Sequence, residues 1–196
     1  MRTLSWARLV SDVLSPPVVW ALLAFPIALR DEPSRGQALL WAGVYIALVC
    51  VLPIIYIATM VRRGRITDIH MQVRKQRLLP FAVSILCTVI AWLILGLLGA
   101  PPVVPLFALF SLIQLAIMAI ITLIWQISIH AISISGATVA TGVLFGLQPA
   151  LFTVPLVVLV GVARLKLKRH TPMQVIAGTA LGVAIPLGLF VFIAVP

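Results

Sequence analysis

Apolar residues run through this chain in long blocks, broken only by prolines, glycines and short clusters of charge. From residue 78 to residue 163 there is no Asp, Glu, Lys or Arg. That stretch far exceeds the roughly 18 apolar residues that suggest one spanning helix. The breaks divide the chain into seven apolar segments, 13–29, 37–61, 79–98, 102–125, 130–147, 149–165 and 172–195. Most approach the roughly 20 residues needed to cross a bilayer at about 1.5 Å per residue. The fifth and sixth are shorter, so one of them is expected to be tilted, broken or only partly spanning. Gly99 to Val103 and Gln148-Pro149 read as the turns that close the third–fourth and fifth–sixth hairpins. The pattern therefore predicts an all-α integral membrane protein, a bundle of six to seven transmembrane helices. It forms a single transmembrane domain over residues 1–196, with no soluble domain, low-complexity tail or sequence repeat.

Composition agrees with the pattern. Of 196 residues 63% are hydrophobic and 9% charged, whereas a soluble domain carries roughly 25% charged residues. The N-terminus lacks a small-residue cleavage site after a short apolar core, so no removed signal peptide is expected. Cys50 and Cys87 lie inside apolar segments, where a disulfide framework is not expected.

Charge adds an orientation. If all seven segments cross, one side of the membrane receives the N-terminus and the loops 62–78, 126–129 and 164–171. That side holds 12 cations: Arg2, Arg8, Arg62, Arg63, Arg65, Arg74, Lys75, Arg77, Arg164, Lys166, Lys168 and Arg169. The other side holds Arg30 and Arg35. The positive-inside rule puts the first side in the cytoplasm of a plasma membrane or prokaryotic inner membrane. Part of the net charge of +10 also suits anionic headgroups, at about 1 kcal/mol per cation near the surface. Nucleic acid is not an expected partner, because the basic loops are short and hold no interleaved aromatics.

Under this topology His70, His130 and His170 all fall on the cationic face. A lone histidine in an apolar protein is most often a satisfied core residue or an interfacial anchor. Three at one level, among Arg and Lys, point to a site at the edge of the bundle. Histidines with guanidinium and ammonium groups and few carboxylates suit phosphoryl transfer through a phosphohistidine. Cations neutralise phosphate oxygens, one imidazole attacks phosphorus, and another protonates the leaving oxygen. Arginine suits the anion because its planar fork binds phosphate oxygens bidentately. The acids are Asp12, Asp31, Glu32 and Asp68, and only Asp68 is near a histidine in sequence. His-x-Glu zinc spacings and paired Asp magnesium motifs are absent. No metal and no cofactor is expected, and an Asp-rich prenyltransferase site is disfavoured on the same ground.

The residues carrying this chemistry resemble a family. Ala163-Arg164, five residues, then His170 and Gln174 at the opening of the last helix is similar to the third motif of the type 2 phosphatidic acid phosphatase superfamily. That motif reads Ser-Arg, five residues, His, three residues, Asp. Ser128-Ile129-His130 resembles the second, Pro-Ser-Gly-His, and Arg74 to Pro80 loosely resembles the first, Lys, six residues, Arg-Pro. The resemblance covers about residues 60–195. It implies that His170 is the nucleophile and His130 the general acid. Arg164 and Arg77 would hold phosphate oxygens, Ser128 would add a hydrogen bond, and Arg74 or Lys75 would stand for the first-motif Lys. Gln174 replaces the Asp that orients the nucleophile. It can still accept the ring N–H, but it supplies no charge. Thr171-Pro172-Met173-Gln174 also fits a capping box, and the two roles are compatible.

The expected function is therefore a metal-independent membrane phosphatase acting on a lipid phosphate or diphosphate, an isoprenoid diphosphate or a phosphatidic-acid-like lipid. Membrane lipids are its other expected partner. The alternative is a non-catalytic, lipid-binding or subunit-like membrane protein that keeps the fold. A transporter is disfavoured, since no charge lies mid-span and no inverted repeat is apparent.

Overall fold

Helix boundaries follow the chain's prolines, glycines and hydroxyl caps. The computed structural model describes residues 5–31, 34–69, 71 and 73–193; His70, Arg2 and Glu32 lie outside these. Among the described residues there is no strand. The helices are α1 (Trp6–Val13), α2 (Pro16–Arg30), α3 (Arg35–Tyr45), α4 (Leu52–Arg62), α5 (Leu78–Leu97), α6 (Val103–Ile124), α7 (Ile129–Phe145), α8 (Leu147–Lys166) and α9 (Pro172–Ile193). A π-helical stretch, Ile46–Val51, joins α3 to α4, and a 3-10 turn, Arg74–Arg77, leads into α5. Among the described residues five helical segments are long and apolar enough to cross a membrane, or six if α1 and α2, bent by 46° at their break, count as one span. The apolar α7, at 17 residues, is shorter than these. The chain is an all-α, multi-pass membrane bundle.

Local chemistry explains where the helices depart from the expected segments. The first expected segment, 13–29, corresponds to α2, and a further helix, α1, precedes it, ending at the break at residues 14–15 just before Pro16 and Pro17. The turn expected at Gln148-Pro149 sits earlier, at Gly146, whose φ of +97° is open to glycine and strained for other residues. Pro149 then falls in the first turn of α8, where its missing N–H has no partner to lose. Pro53 lacks an N–H and its ring presses on the carbonyl four residues back. The preceding π-helical turn, with the Leu52 N–H bonded to Ala47 O, accommodates that misfit.

The chain divides into two compact units, Met1–Val19 with Ile127–Pro196, and Trp20–Gln126. The second has an aromatic interior. Phe107 stacks on Tyr45 at 4.6 Å, and Trp20 meets Phe107 and Phe110 edge-on at 5.7 and 5.4 Å. Ser111 gives its hydroxyl proton to Phe107 O (3.0 Å), so the 2.7 Å contact with Tyr45 is donated by the phenol. Both buried hydroxyls are thereby satisfied, as an apolar surrounding demands.

The first unit is built on close contact between α7 and α9. A Cβ added at Gly178 would lie 2.7 Å from Ser128 O, and one at Gly182 would overlap Ser135 Oγ and Ile132 O. The two glycines are one turn apart, so they form a flat strip on α9 on which the α7 backbone rests. The Ser135 hydroxyl secures the seam, donating to Ala131 O on its own helix (2.7 Å) and reaching Thr179 O across it (3.2 Å). Gly182→Ala should lower stability by about 1–3 kcal/mol, because the obstructing carbonyl belongs to a helix backbone. Gly188→Ala, which meets nothing within 4 Å, should be neutral or stabilising by up to about 1 kcal/mol. Thermal unfolding of both variants in detergent measures the contrast; equal melting temperatures would show that the seam is not tightly packed.

Candidate active site

Two stretches of the first unit bring polar side chains to the ends of α7, α8 and α9, and a third element meets them. Ser5 caps α1 by accepting the Arg8 N–H at 3.4 Å. Ala7 and Ser11, four residues apart, are the buried residues of α1. Their small side chains let α1 pack against α8. At the end of α8 Arg164, only 3% exposed, donates from Nη1 to Ser11 Oγ at 2.7 Å. From the first turn of α7, His130 Nε2 lies 3.0 Å from Ser11 O. One residue thus receives both a proposed phosphate-binding guanidinium and a proposed general acid.

The path from Arg164 to His170 is set by how α8 ends. The Lys168 N–H bonds to Leu165 O (2.9 Å) and the Arg169 N–H to Arg164 O (3.1 Å), with Lys168 left-handed at φ +52°. This is a Schellman closure with Lys in the position usually held by Gly. The chain turns back at once, and His170, also buried, precedes α9. There the expected capping box forms: the Thr171 N–H donates to Gln174 Oε1 (3.1 Å) and the Gln174 N–H to Thr171 Oγ1 (3.4 Å). The same Oε1 lies 3.2 Å from His170 Nδ1. Gln174 therefore serves cap and histidine together. Its main-chain carbonyl also accepts the Ser128 N–H at 3.1 Å, tying the start of α9 to the start of α7.

These partners assign the tautomers. The Gln174 atom that accepts the Thr171 N–H is the amide oxygen, so His170 Nδ1 must be the donor to it. In the neutral ring the lone pair is then on Nε2. A carbonyl oxygen only accepts, so His130 carries its proton on Nε2. The two imidazoles present opposite characters at the same ring position.

The remaining expected site residues stand as follows. Ser128, expected on a phosphate oxygen, is the fully buried N-cap of α7, its Oγ accepting the Ala131 N–H at 3.3 Å. The hydroxyl is used by the helix because an uncapped start would leave backbone donors without partners. Arg74, Lys75 and Arg77 belong to the other unit. Arg77 is buried and donates from Nε to Met71 O (2.8 Å), bracing a residue held at φ +49°. Arg74 donates to Leu123 O (3.0 Å) at the end of α6, whereas Lys75 is exposed. Of the two, Lys75 is the one not engaged by a backbone carbonyl in that contact. Among the described residues no three His, Cys, Asp or Glu side chains gather as metal ligands would.

Ser11 is the site residue that sequence reasoning missed. Its signal was present, in a Ser cap followed by two small residues one turn apart, but nothing in that spacing names the partners. No protein-family model, curated protein or solved structure matches this chain. Imidazole 15N shifts of labelled protein above the titration range should show His170 protonated on Nδ1 and His130 on Nε2. Gln174→Ala should mix the tautomers of His170 and leave those of His130 alone; no change at His170 would show that Gln174 does not hold the ring.

Proposed function

We propose that this chain is a membrane phosphatase that hydrolyses a lipid phosphate or diphosphate through a phosphohistidine, as its resemblance to the type 2 phosphatidic acid phosphatase superfamily implies. An isoprenoid diphosphate or a phosphatidic-acid-like lipid is the substrate class. The observation that carries this reading is the pair of buried histidines before α9 and at the start of α7, His170 with Nδ1 on the Gln174 amide oxygen and His130 with Nε2 on Ser11 O; the neutral tautomers that these acceptors select put a lone pair on Nε2 of the first and a proton on Nε2 of the second. His170 Nε2 attacks phosphorus, and the bond to the leaving oxygen breaks with its electrons on that oxygen. The proton of His130 Nε2 neutralises it. Water then attacks the phosphohistidine, giving a proton to His130, and the phosphorus–nitrogen electrons return to His170. Arg164 balances charge on the phosphoryl oxygens. Gln174 keeps the nucleophile's tautomer but cannot stabilise the imidazolium as a carboxylate does; in serine proteases the loss of that carboxylate costs about 10⁴ in rate.

One observation favours the second reading, a non-catalytic lipid-binding protein. Ser11 already engages His130 Nε2 and Arg164 Nη1 within the chain, as a docking site for α1 also requires. Phosphate release from a panel of lipid phosphates separates the two. The phosphatase reading expects release that His170→Ala abolishes, with loss of an acid-labile phosphoenzyme. Gln174→Asp should raise the single-turnover rate and Gln174→Ala should lower it. No release from any substrate leaves the binding protein; unchanged rates in both Gln174 variants reduce that residue to a cap.

The cation count supports a site on the cytoplasmic side. Met173 is 63% exposed at the start of α9, while the native Cys50 and Cys87 are buried. Met173→Cys should therefore resist an impermeant maleimide in intact cells and react after permeabilisation. Ready labelling from outside would mean that the cations serve the substrate, not the topology.

A further inference from the structure

The contacts of Ser11 are those of a ligand. Arg164 and His130 are the two donors that the proposed reaction turns toward phosphate and leaving group, and each already meets an oxygen of this one residue, at 2.7 and 3.0 Å. One oxygen is a hydroxyl and the other a carbonyl at the last turn of α1, where a helix leaves its carbonyls without intrahelical partners. Both are neutral. An anionic oxygen makes a charge-assisted hydrogen bond roughly twice as strong to the same donors.

The helix that carries Ser11 is suited to leaving. It has eight residues, too few to be stable alone in water, and it is separated from α2 by the break at residues 14–15. Its faces have three characters. Ala7 and Ser11 are buried; Arg8 and Asp12 form a polar side; Trp6, Leu9 and Val13 are 42–55% exposed. An apolar face backed by a polar one is the pattern of a helix lying in the membrane interface. Lys166 Nζ stands 4.7 Å from the centre of the Trp6 ring, a cation beside an aromatic of the kind that collects at headgroup level. The helix can stay in the interface on Trp6, Leu9 and Val13 while its small face comes away from α8.

We propose that α1 is a latch that closes the site by imitating its substrate: Ser11 Oγ and O occupy, on Arg164 and His130, the positions of two oxygens of a phosphate ester, and a tetrahedral phosphate opens the site by displacing them. The proposal rests on the lipid-phosphate reading and adds regulation to it. The catalytic side chains are held ready but covered until a phosphate competes for them.

Full-length protein in phosphatidylcholine vesicles, with a spin label on Leu9→Cys at the exposed face of α1, tests this. Orthophosphate in solution is one arm, and vesicles doped with phosphatidic acid are the other. In either arm the label should become more mobile when phosphate binds. The arm that responds identifies the source, free anion or lipid headgroup. Ser11→Ala removes the hydroxyl from Arg164 while keeping the small volume that the buried position allows. It should bind phosphate about tenfold more tightly, as expected for removing a competing hydrogen bond to a charged group. Arg164→Gln should abolish the response on either background. Equal or weaker binding by Ser11→Ala, an unmoved label, or no binding in either arm overturns the latch. The phosphatase reading is decided by a separate readout, release of phosphate from lipid. Turnover with an immobile α1 sinks the latch alone. Phosphate binding that mobilises α1 without any turnover sinks the phosphatase alone.

Discussion

Two helix backbones reach contact only where neither presents a side chain, and on α9 Gly178 and Gly182 meet that condition. In a bundle surrounded by lipid, packing of this kind replaces the hydrophobic drive that assembles soluble proteins. Because Gln174 is one turn before Gly178, the same strip that rests on α7 delivers the Gln174 carbonyl to the Ser128 N–H. Ser128 in turn caps α7, and His130 follows in its first turn. The positions of both histidines are thus consequences of a seam whose glycines carry no chemistry.

Burying ionisable groups adds a second requirement. A guanidinium removed from water needs acceptors close by. Arg164 Nη1 and Arg77 Nε find acceptors in different places, a hydroxyl on another helix and a backbone carbonyl in the same loop. The difference decides what each can do. Arg77 and Met71 hold one another, and the loop geometry depends on the contact. The hydroxyl on Arg164 Nη1 comes from the short helix α1, whose Trp6, Leu9 and Val13 are exposed.

Much of the fold was legible because lipid imposes a simple rule, that long apolar runs become helices. The runs located the five helices long enough to cross, and the Thr171-to-Gln174 pattern located both a cap and a ring acceptor. Two kinds of feature escaped. Turn position depended on backbone conformation: Pro149 drew attention as a breaker, whereas the chain turns at Gly146, where φ is positive. Side-chain partnerships depended on helix packing. Gly178 and Gly182 read as ordinary members of an apolar span, and Ser11 as part of a basic N-terminus, because the helices they touch are more than forty residues away in sequence. Ser128 was visible as a motif residue, but its assignment to substrate competed with the need of α7 for a cap.

The end of α8 has a consequence for how such a protein can change. Arg164 is the third residue from the last helical position, Lys168 is the left-handed residue, and Arg169 closes the loop back onto Arg164. The interval from arginine to histidine is therefore the length of one hydrogen-bonded ring plus a single step, not a flexible tether of adjustable size. Lineages can exchange the side chains within it, since the ring is made by main-chain atoms, and Lys168 already stands where glycine is common. They cannot add or remove a residue without rotating His170 away from its acceptor. Exchange of side chains keeps the interval; a change in the number of residues does not.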